Sequence, residues 1–133
     1  NLPKSGTLFI SVKDSDKIKI LPICKKLLNL GFDIIATKGT SKYLEINNIK
    51  VTKINKVSEG RPHLVDAIKD GLVNIIFNTT EGEQSIKESF SLRRAALSAN
   101  IPYYTTLAGS KAATEAIISL NKDELTVKSI QSY

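Results

Sequence analysis

Several residue types are scarce or missing in this chain. Of its 133 residues one is cysteine, and none is methionine or tryptophan. A lone Cys24 excludes an internal disulfide and a cysteine-based metal cluster. The missing methionine, initiator included, leads us to expect a processed chain or, more readily, a domain excised from a larger protein. Long hydrophobic runs are missing too: none approaches the roughly 18 residues needed to cross a bilayer. The start, Asn1-Leu2-Pro3-Lys4-Ser5, lacks the apolar core of a signal peptide. A cytoplasmic protein without membrane contact is the expectation. Aromatic residues make up only 6% of the chain. The lysines are dispersed, and no arginine-rich stripe or base-stacking pattern appears, so a nucleic-acid partner is not expected. His63 is the only histidine and has no cysteines or second histidine beside it, which makes it a poor metal ligand.

What is present is enough for one compact domain, residues 1–133, with a core over about residues 7–124. The chain is 41% hydrophobic, with no low-complexity tract and no internal repeat. Its formal charge of +6 favours encounters with anions, although solubilising lysines on helix backs account for part of it.

Strand-like and helix-like spacing alternate along the chain. Thr7 to Val12 reads as a buried first strand, with a helix after it from Asp16 to Leu30. Ile20, Cys24, Leu27 and Leu28 share its apolar face, Asp16 is its N-cap and Gly31 its C-cap, while Pro22 kinks it or marks a later start. Phe32 to Ala36 is a second strand, after which Thr40 or Ser41 caps a short helix through Ile46. Ile49 to Ile54 alternates as an edge strand, with Lys50 and Lys53 discouraging outside pairing. A loop over 58–62 leads to a helix with Leu64, Ala67, Ile68 and Leu72 inward. Val73 to Phe77 and Ile101 to Tyr104 are further strands, separated by a helix in which Ile86, Phe90, Arg93-Arg94 and Leu97 fall at amphipathic spacing. Ala112 to Leu120 is the last main helix, and Glu124 to Ile130 adds a strand or a tail. This order predicts an α/β fold, a three-layer sandwich around a mainly parallel sheet.

The hydrophobic runs share a habit: they stop in hydroxyl or amide residues, at Thr37-Lys38-Gly39-Thr40, Asn78-Thr79-Thr80 and Thr105-Thr106. In an α/β sheet these would line the crevice beyond the carboxyl ends of the strands, where ligands bind. A helix starting after Thr37 would present unpaired N–H groups to a phosphate. Capping and turn formation explain the same residues without a ligand, and both readings stay open at this point. Neither the P-loop nor the dinucleotide glycine spacing is present. Lys17 and Lys56 lie near element boundaries and would supply charge for an anion if they converge. Arg61, restrained by Pro62, would hold an anion or a neighbouring carboxylate. Asp14, Asp16, Glu59, Glu81 and Glu83 are possible proton-transfer groups, but nothing pairs them with a histidine or a second carboxylate in an acid–base arrangement. Thr105 and Thr106 have no activating base that would make them nucleophiles.

With these strand ends in view, the chain resembles the methylglyoxal-synthase-like domain at the carboxyl end of the carbamoyl phosphate synthetase large chain. The resemblance runs from about Thr7 to Glu124. Its most discriminating part is Lys56-Val57-Ser58-Glu59-Gly60-Arg61-Pro62-His63, with Ala36 to Thr40, Phe77 to Thr80, Arg93 to Leu97 and Thr105-Thr106-Leu107 in matching order. It implies a non-catalytic regulatory domain of a glutamine-dependent ligase that makes carbamoyl phosphate from glutamine, bicarbonate and ATP, for pyrimidine and arginine synthesis. The parent enzyme would use ATP with Mg2+ or Mn2+ and K+, and the domain itself no cofactor. Its partners would be the catalytic domains of the large chain, the glutaminase small subunit, UMP or IMP as effector, and ornithine. Mapped by motif, Lys17, Thr37, Thr40, Lys56, Asn78 and Thr80 would surround the effector phosphate, and Thr105 would face ornithine.

One departure stands out. Glu83 and Gln84 come after Gly82, where bacterial relatives carry arginines, and Glu83 would oppose a nucleotide phosphate or meet the base or ribose differently. Two alternatives stand beside the regulatory reading. A free methylglyoxal synthase would eliminate phosphate from dihydroxyacetone phosphate, but Lys13 replaces its histidine and the Glu59-Gly60-Arg61-Pro62 loop departs from its glycine-rich acidic pattern. A scaffold using the fold only for intersubunit contact would bind no nucleotide. A purine cyclohydrolase domain is a more distant relative whose loops match less well.

Overall fold

A computed structural model describes residues 2–56, 59–60, 63–80 and 83–131, without the side chains of 83–86, 88 and 124–131. Five parallel strands form one sheet: β1 (Thr7–Ser11), β2 (Asp33–Ala36), β3 (Thr52–Lys53), β4 (Ile75–Asn78) and β5 (Tyr103–Tyr104), in the order β3-β2-β1-β4-β5. Five helices connect and extend them: α1 (Lys17–Asn29), α2 (Lys38–Ile46), α3 (Leu64–Lys69), α4 (Glu83–Ser98) and α5 (Leu107–Gln131). A 3-10 turn, Asp14–Asp16, precedes α1.

The strand period of two divides each central strand between two cores. Leu8, Ile10, Ile34, Ala36, Ile75 and Phe77 point one way, toward Ile20, Ile23, Cys24 and Leu27 of α1, Leu44 of α2, and Ala113 and Ile117 of α5. Phe9 and Ile76 point the other way, toward Leu64 and Ile68 of α3 and Leu92, Ala95 and Ala96 of α4. This is the predicted α/β three-layer sandwich, and covering on both faces is why β1 and β4 read as unbroken apolar runs. Successive crossovers step outward from β1 to β3, then the chain returns to β4 and steps the other way to β5. The sheet therefore reverses its strand order between the neighbours β1 and β4.

Four consecutive helices stop in one way. Gly31, Asn48, Gly71 and Asn100 take positive φ, and the next residue's N–H donates to the carbonyl five residues back, as Phe32 does to Leu27 at 3.0 Å. This left-handed cap satisfies the carbonyls that a helix end leaves orphaned.

The boundaries depart from the sequence spacing at several points. α1 runs through Pro22, and the carbonyl this proline leaves without a helical donor belongs to Ile18, a residue 67% exposed on the solvent side of the helix. α2 starts before Thr40: Thr37 is its N-cap, and Thr40 and Ser41 are buried in its first turn. The edge strand β3 is only two residues long, although it does stand at the sheet edge. Leu72 lies beyond the end of α3 and is exposed. α4 is turned from its predicted face, with Phe90 and Leu97 at 72% and 70% exposure while Leu92, Ala95 and Ala96 pack on the sheet. The small alanines let the helix backbone approach Phe9 and Ile76, which the larger side chains would prevent. Residues 124–130 continue α5 and form no strand.

Candidate functional site

The carboxyl ends of β1, β2 and β4 and the segment after β3 surround a cleft of about 320 Å³. It lies where the strand order reverses, the usual binding position in open α/β sheets. Lys17, Thr37, Thr40, Lys56, Asn78 and Thr80, far apart in the chain, all line it. Thr105 does not: it is exposed beyond β5, next to the start of α5.

Hydrogen bonds fix the cleft walls and leave donors facing inward. Thr40 Oγ1 accepts from the Val12 N–H at 3.2 Å, locking α2 to the end of β1 while its own hydroxyl proton stays available. The Ser11 and Thr37 hydroxyls lie 3.0 Å apart; one hydrogen bond joins them, so the second proton remains for another acceptor. Thr37 caps α2 by backbone position without a side-chain bond to the helix. The first-turn N–H groups of α2, which have no intrahelical carbonyl, consequently sit at the cleft with the positive end of the helix dipole. Lys17 Nζ lies over that turn, 3.6 Å from where a side chain on Gly39 would begin. Gly39 is thus a helical residue that leaves room for the ammonium, not a turn former.

On the opposite wall, Thr79 Oγ1 accepts from the Lys13 N–H at 3.0 Å, tying β4 to the turn after β1. Asn78 Nδ2 donates to Ser89 Oγ at 3.0 Å and to Tyr103 Oη at 2.7 Å. The two bonds hold the Asn78 side chain at the cleft wall. The Arg93 guanidinium stands 6.0 Å from the Tyr103 ring centroid. Every buried polar side-chain atom among the described residues has a partner.

The two lysines each have a carboxylate close by. Lys17 Nζ contacts Asp14 Oδ1 at 2.6 Å, and hydrogen bond and charge together hold the Asp14 carboxyl below its ordinary range. The Lys56 backbone N–H donates to Glu59 Oε1 at 2.8 Å. His63 is not in the cleft. Its Nδ1 accepts from the Asp66 N–H while Asp66 Oδ2 accepts from the His63 N–H, a reciprocal cap on α3. Among the described residues no cluster of His, Cys, Asp or Glu is arranged to hold a metal ion, and no helix is long and apolar enough to cross a membrane. Arg61 and Pro62, Val57 and Ser58, Glu81 and Gly82, and the side chains of Glu83, Gln84 and Ile86 lie outside the described residues.

Sequence reasoning missed the β1 end of the cleft. Ser11 closes an apolar run with a hydroxyl, as Thr37 and Asn78 do, and that signal was available. Ser89 and Tyr103 carried none, because only the folded chain brings them to Asn78.

A polar, cationic cleft at the switch point of a five-stranded parallel sheet defines a small class of α/β domains. The chain belongs to the MGS-like domain family, whose model matches residues 19–105. Along its whole length it is 52% identical to a part of the carbamoyl phosphate synthase large chain of Mesorhizobium japonicum and 45% identical to that of Methanobrevibacter smithii. Over 116 residues, 87% of the chain, it is 52% identical to the same protein of Pseudomonas syringae. The chain spans only 11% of the Mesorhizobium protein, 12% of the Methanobrevibacter protein and 11% of the Pseudomonas protein. Among solved structures, a methylglyoxal synthase from Elizabethkingia anophelis superposes with a TM-score of 0.59 over 88% of this chain and 78% of that one, at 19% identity. That likeness establishes the shared fold.

Proposed function

We propose that this chain is the effector-binding, regulatory domain of a carbamoyl phosphate synthetase large chain, and that the cleft takes the phosphate of a nucleotide such as UMP or IMP. The observation that carries the reading is convergence. Lys17 and Lys56, the hydroxyls of Thr37, Thr40 and Thr80, and the N-terminus of α2 meet at one cleft. Ammonium groups and short hydroxyl donors around a helix N-terminus suit a phosphate monoester, which carries close to two charges and several acceptor oxygens at neutral pH. Similarity along this chain's whole length to one part of carbamoyl phosphate synthase large chains supports the same reading.

On this reading the parent enzyme makes carbamoyl phosphate from glutamine, bicarbonate and ATP, with Mg2+ or Mn2+ and K+, in the cytoplasm, for pyrimidine and arginine synthesis. The domain works beside the catalytic domains and the glutaminase small subunit, and Thr105 at the exposed end of β5 faces ornithine. Regulation results if the nucleotide binds two states of the synthetase with different affinity.

Titration with UMP, IMP, inorganic phosphate and uridine tests the proposal. Lys56→Ala or Thr37→Ala should weaken the phosphorylated ligands by roughly tenfold or more, the magnitude of a lost charge-assisted bond, and spare uridine. Equal losses for both classes would remove the phosphate roles.

The fold likeness to a methylglyoxal synthase raises a second reading, elimination of phosphate from dihydroxyacetone phosphate. Among the described residues the cleft holds one carboxylate, Asp14, which is paired with Lys17, and the chain's histidine caps α3. Proton abstraction next to a carbonyl needs a base free to accept, so this arrangement favours binding over turnover. Methylglyoxal formed from dihydroxyacetone phosphate at enzymatic rate would reverse that preference.

A further inference from the structure

The pairing of Lys17 with Asp14 is unusual for its place. Both residues line the cleft, yet their exposures differ sharply. The Lys17 side chain is only 19% exposed, with its Nζ beside Gly39 in the first turn of α2, while the Asp14 side chain is 91% exposed. The ammonium lies beside Gly39, and the exposed carboxylate reaches it across one 3-10 turn. A partner so exposed adds little to the stability of the fold. Its position is that of an anion entering from solvent: one carboxylate oxygen sits 2.6 Å from the charge that a phosphate would seek.

We infer that Asp14 is an intramolecular competitor for Lys17, an affinity-setting residue that any anion must displace to use this lysine. The inference rests on the phosphate-binding reading of the cleft. Displacement imposes the same cost on every anion. Weak, singly charged ligands then fall below useful occupancy, while a phosphate dianion, which also engages Lys56 and the α2 N-terminus, remains bound. The competitor is tethered three residues from its lysine, so its effective concentration does not change with cellular anions. Asp14 is a ready-made substitution site for tuning effector affinity without touching the groups that contact the ligand.

The test is a double-mutant cycle on the 133-residue chain, with inorganic phosphate as probe and the amide shifts of Gly39 and Thr80 as readout. Asp14→Asn keeps the side-chain shape and removes the charge, and Asp14→Ala removes the contact as well. We expect either variant to bind phosphate roughly two- to fivefold more tightly, the range an exposed ion pair commands. In the Lys17→Ala background the same substitutions should give no gain, because Asp14 acts through Lys17. An equal gain with and without Lys17 would mean general repulsion and overturn the inference. No gain from Asp14→Asn, in a protein that still binds phosphate, would overturn it and leave the phosphate site standing. Absence of phosphate and nucleotide binding in both the parent chain and Asp14→Asn would remove the cleft's proposed function together with the inference. Thermal unfolding of each variant separates these outcomes from misfolding; at 91% exposure Asp14 should not move the midpoint appreciably.

Discussion

The two ends of the sheet use the same residue types to opposite effect. At the amino end, Asn74 Oδ1 accepts from the Thr7 N–H at 2.8 Å, the Asn74 N–H donates to the Thr7 carbonyl at 2.9 Å, and the Asp33 N–H donates to the Gly6 carbonyl at 2.9 Å. Asparagine, threonine and glycine there spend their donors and acceptors on one another, and the cavity of about 360 Å³ that Thr7 and Asp33 also line is bounded mostly by apolar and edge-strand residues such as Ile34, Ile35, Val51 and Leu72. At the carboxyl end, Asn78, Thr79, Thr37, Thr40 and Gly39 also bond across strands or pack there, but a cleft remains between them. The difference lies in which helix ends meet the strands. Helix α2 starts at the carboxyl end with first-turn N–H groups that have no intrahelical carbonyl, whereas the amino end receives helix C-termini already closed by left-handed caps. Polar residues at strand boundaries become a site only where the adjoining helices leave donors unspent.

The sharpest way to break this comparison is Gly6→Ala. Gly6 has φ +128°, and a β-carbon there would lie 2.3 Å from Asn74 Oδ1. The substitution pairs a backbone strain of about 1–3 kcal/mol with displacement of the Asn74 stitch, itself about 1 kcal/mol. We expect a loss of roughly 2–4 kcal/mol in denaturant unfolding, with phosphate affinity unchanged in the folded protein. An affinity loss comparable to the stability loss would mean that the two ends are not independent.

These roles were unevenly legible in the sequence. β1 and β4 could be read because both faces are covered and every central residue is apolar. The hydroxyl and lysine residues of the cleft could be singled out because strands deliver their last residues to one edge, wherever they lie in the chain. The start of α2 was misplaced because Thr40 and Ser41 look like caps. Their hydroxyls are spent elsewhere, Thr40 on the Val12 N–H and Ser41 on the Lys38 carbonyl. The turn of α4 was misread because periodicity weighs Phe90 and Leu97 above the small Ala95 and Ala96 that actually meet the sheet. The Asp14–Lys17 pair and the Asn78–Tyr103 bond depend on side-chain direction, which spacing does not encode.

A second, smaller effect sharpens the comparison through a group that belongs to neither end. Cys24 is wholly buried on α1, and burial pushes its thiol from 9.0 up to about 12. Because the folded value is raised, stability is fully present below about pH 9 and falls as pH rises toward 12, where the unfolded chain ionises its thiol and the folded chain does not. The expected loss near pH 10 is about 1–2 kcal/mol, beyond the effect of the other titrating groups. Cys24→Ala should abolish that increment of pH dependence while lowering stability at every pH. The same thiol reports global opening: in Gly6→Ala it should be modified by thiol reagents faster in proportion to the lost stability, and in cleft variants at the parent rate. A parent chain whose unfolding free energy shows no Cys24-dependent slope between about pH 9 and 11 would contradict a thiol held neutral by burial.

The smallest effect tests the other glycine. Gly39 stands at the carboxyl end as Gly6 does at the amino end, yet it lies in the first turn of α2 outside the positive-φ region, and a β-carbon there would meet Lys17 Nζ at 3.6 Å. That is ordinary van der Waals contact, so Gly39→Ala should leave the fold intact and even stabilise it, by at most about 1 kcal/mol, through the reduced backbone entropy of the unfolded chain. The added methyl would instead occupy space beside the α2 N–H groups, where a phosphate oxygen must approach. Phosphate affinity should therefore fall by roughly threefold, less than about 1 kcal/mol, while the unfolding midpoint holds or rises. The two glycine variants thus move opposite observables. A Gly39→Ala protein that lost stability like Gly6→Ala, and bound phosphate as well as the parent chain, would show that the carboxyl end is built for structure and not for a ligand.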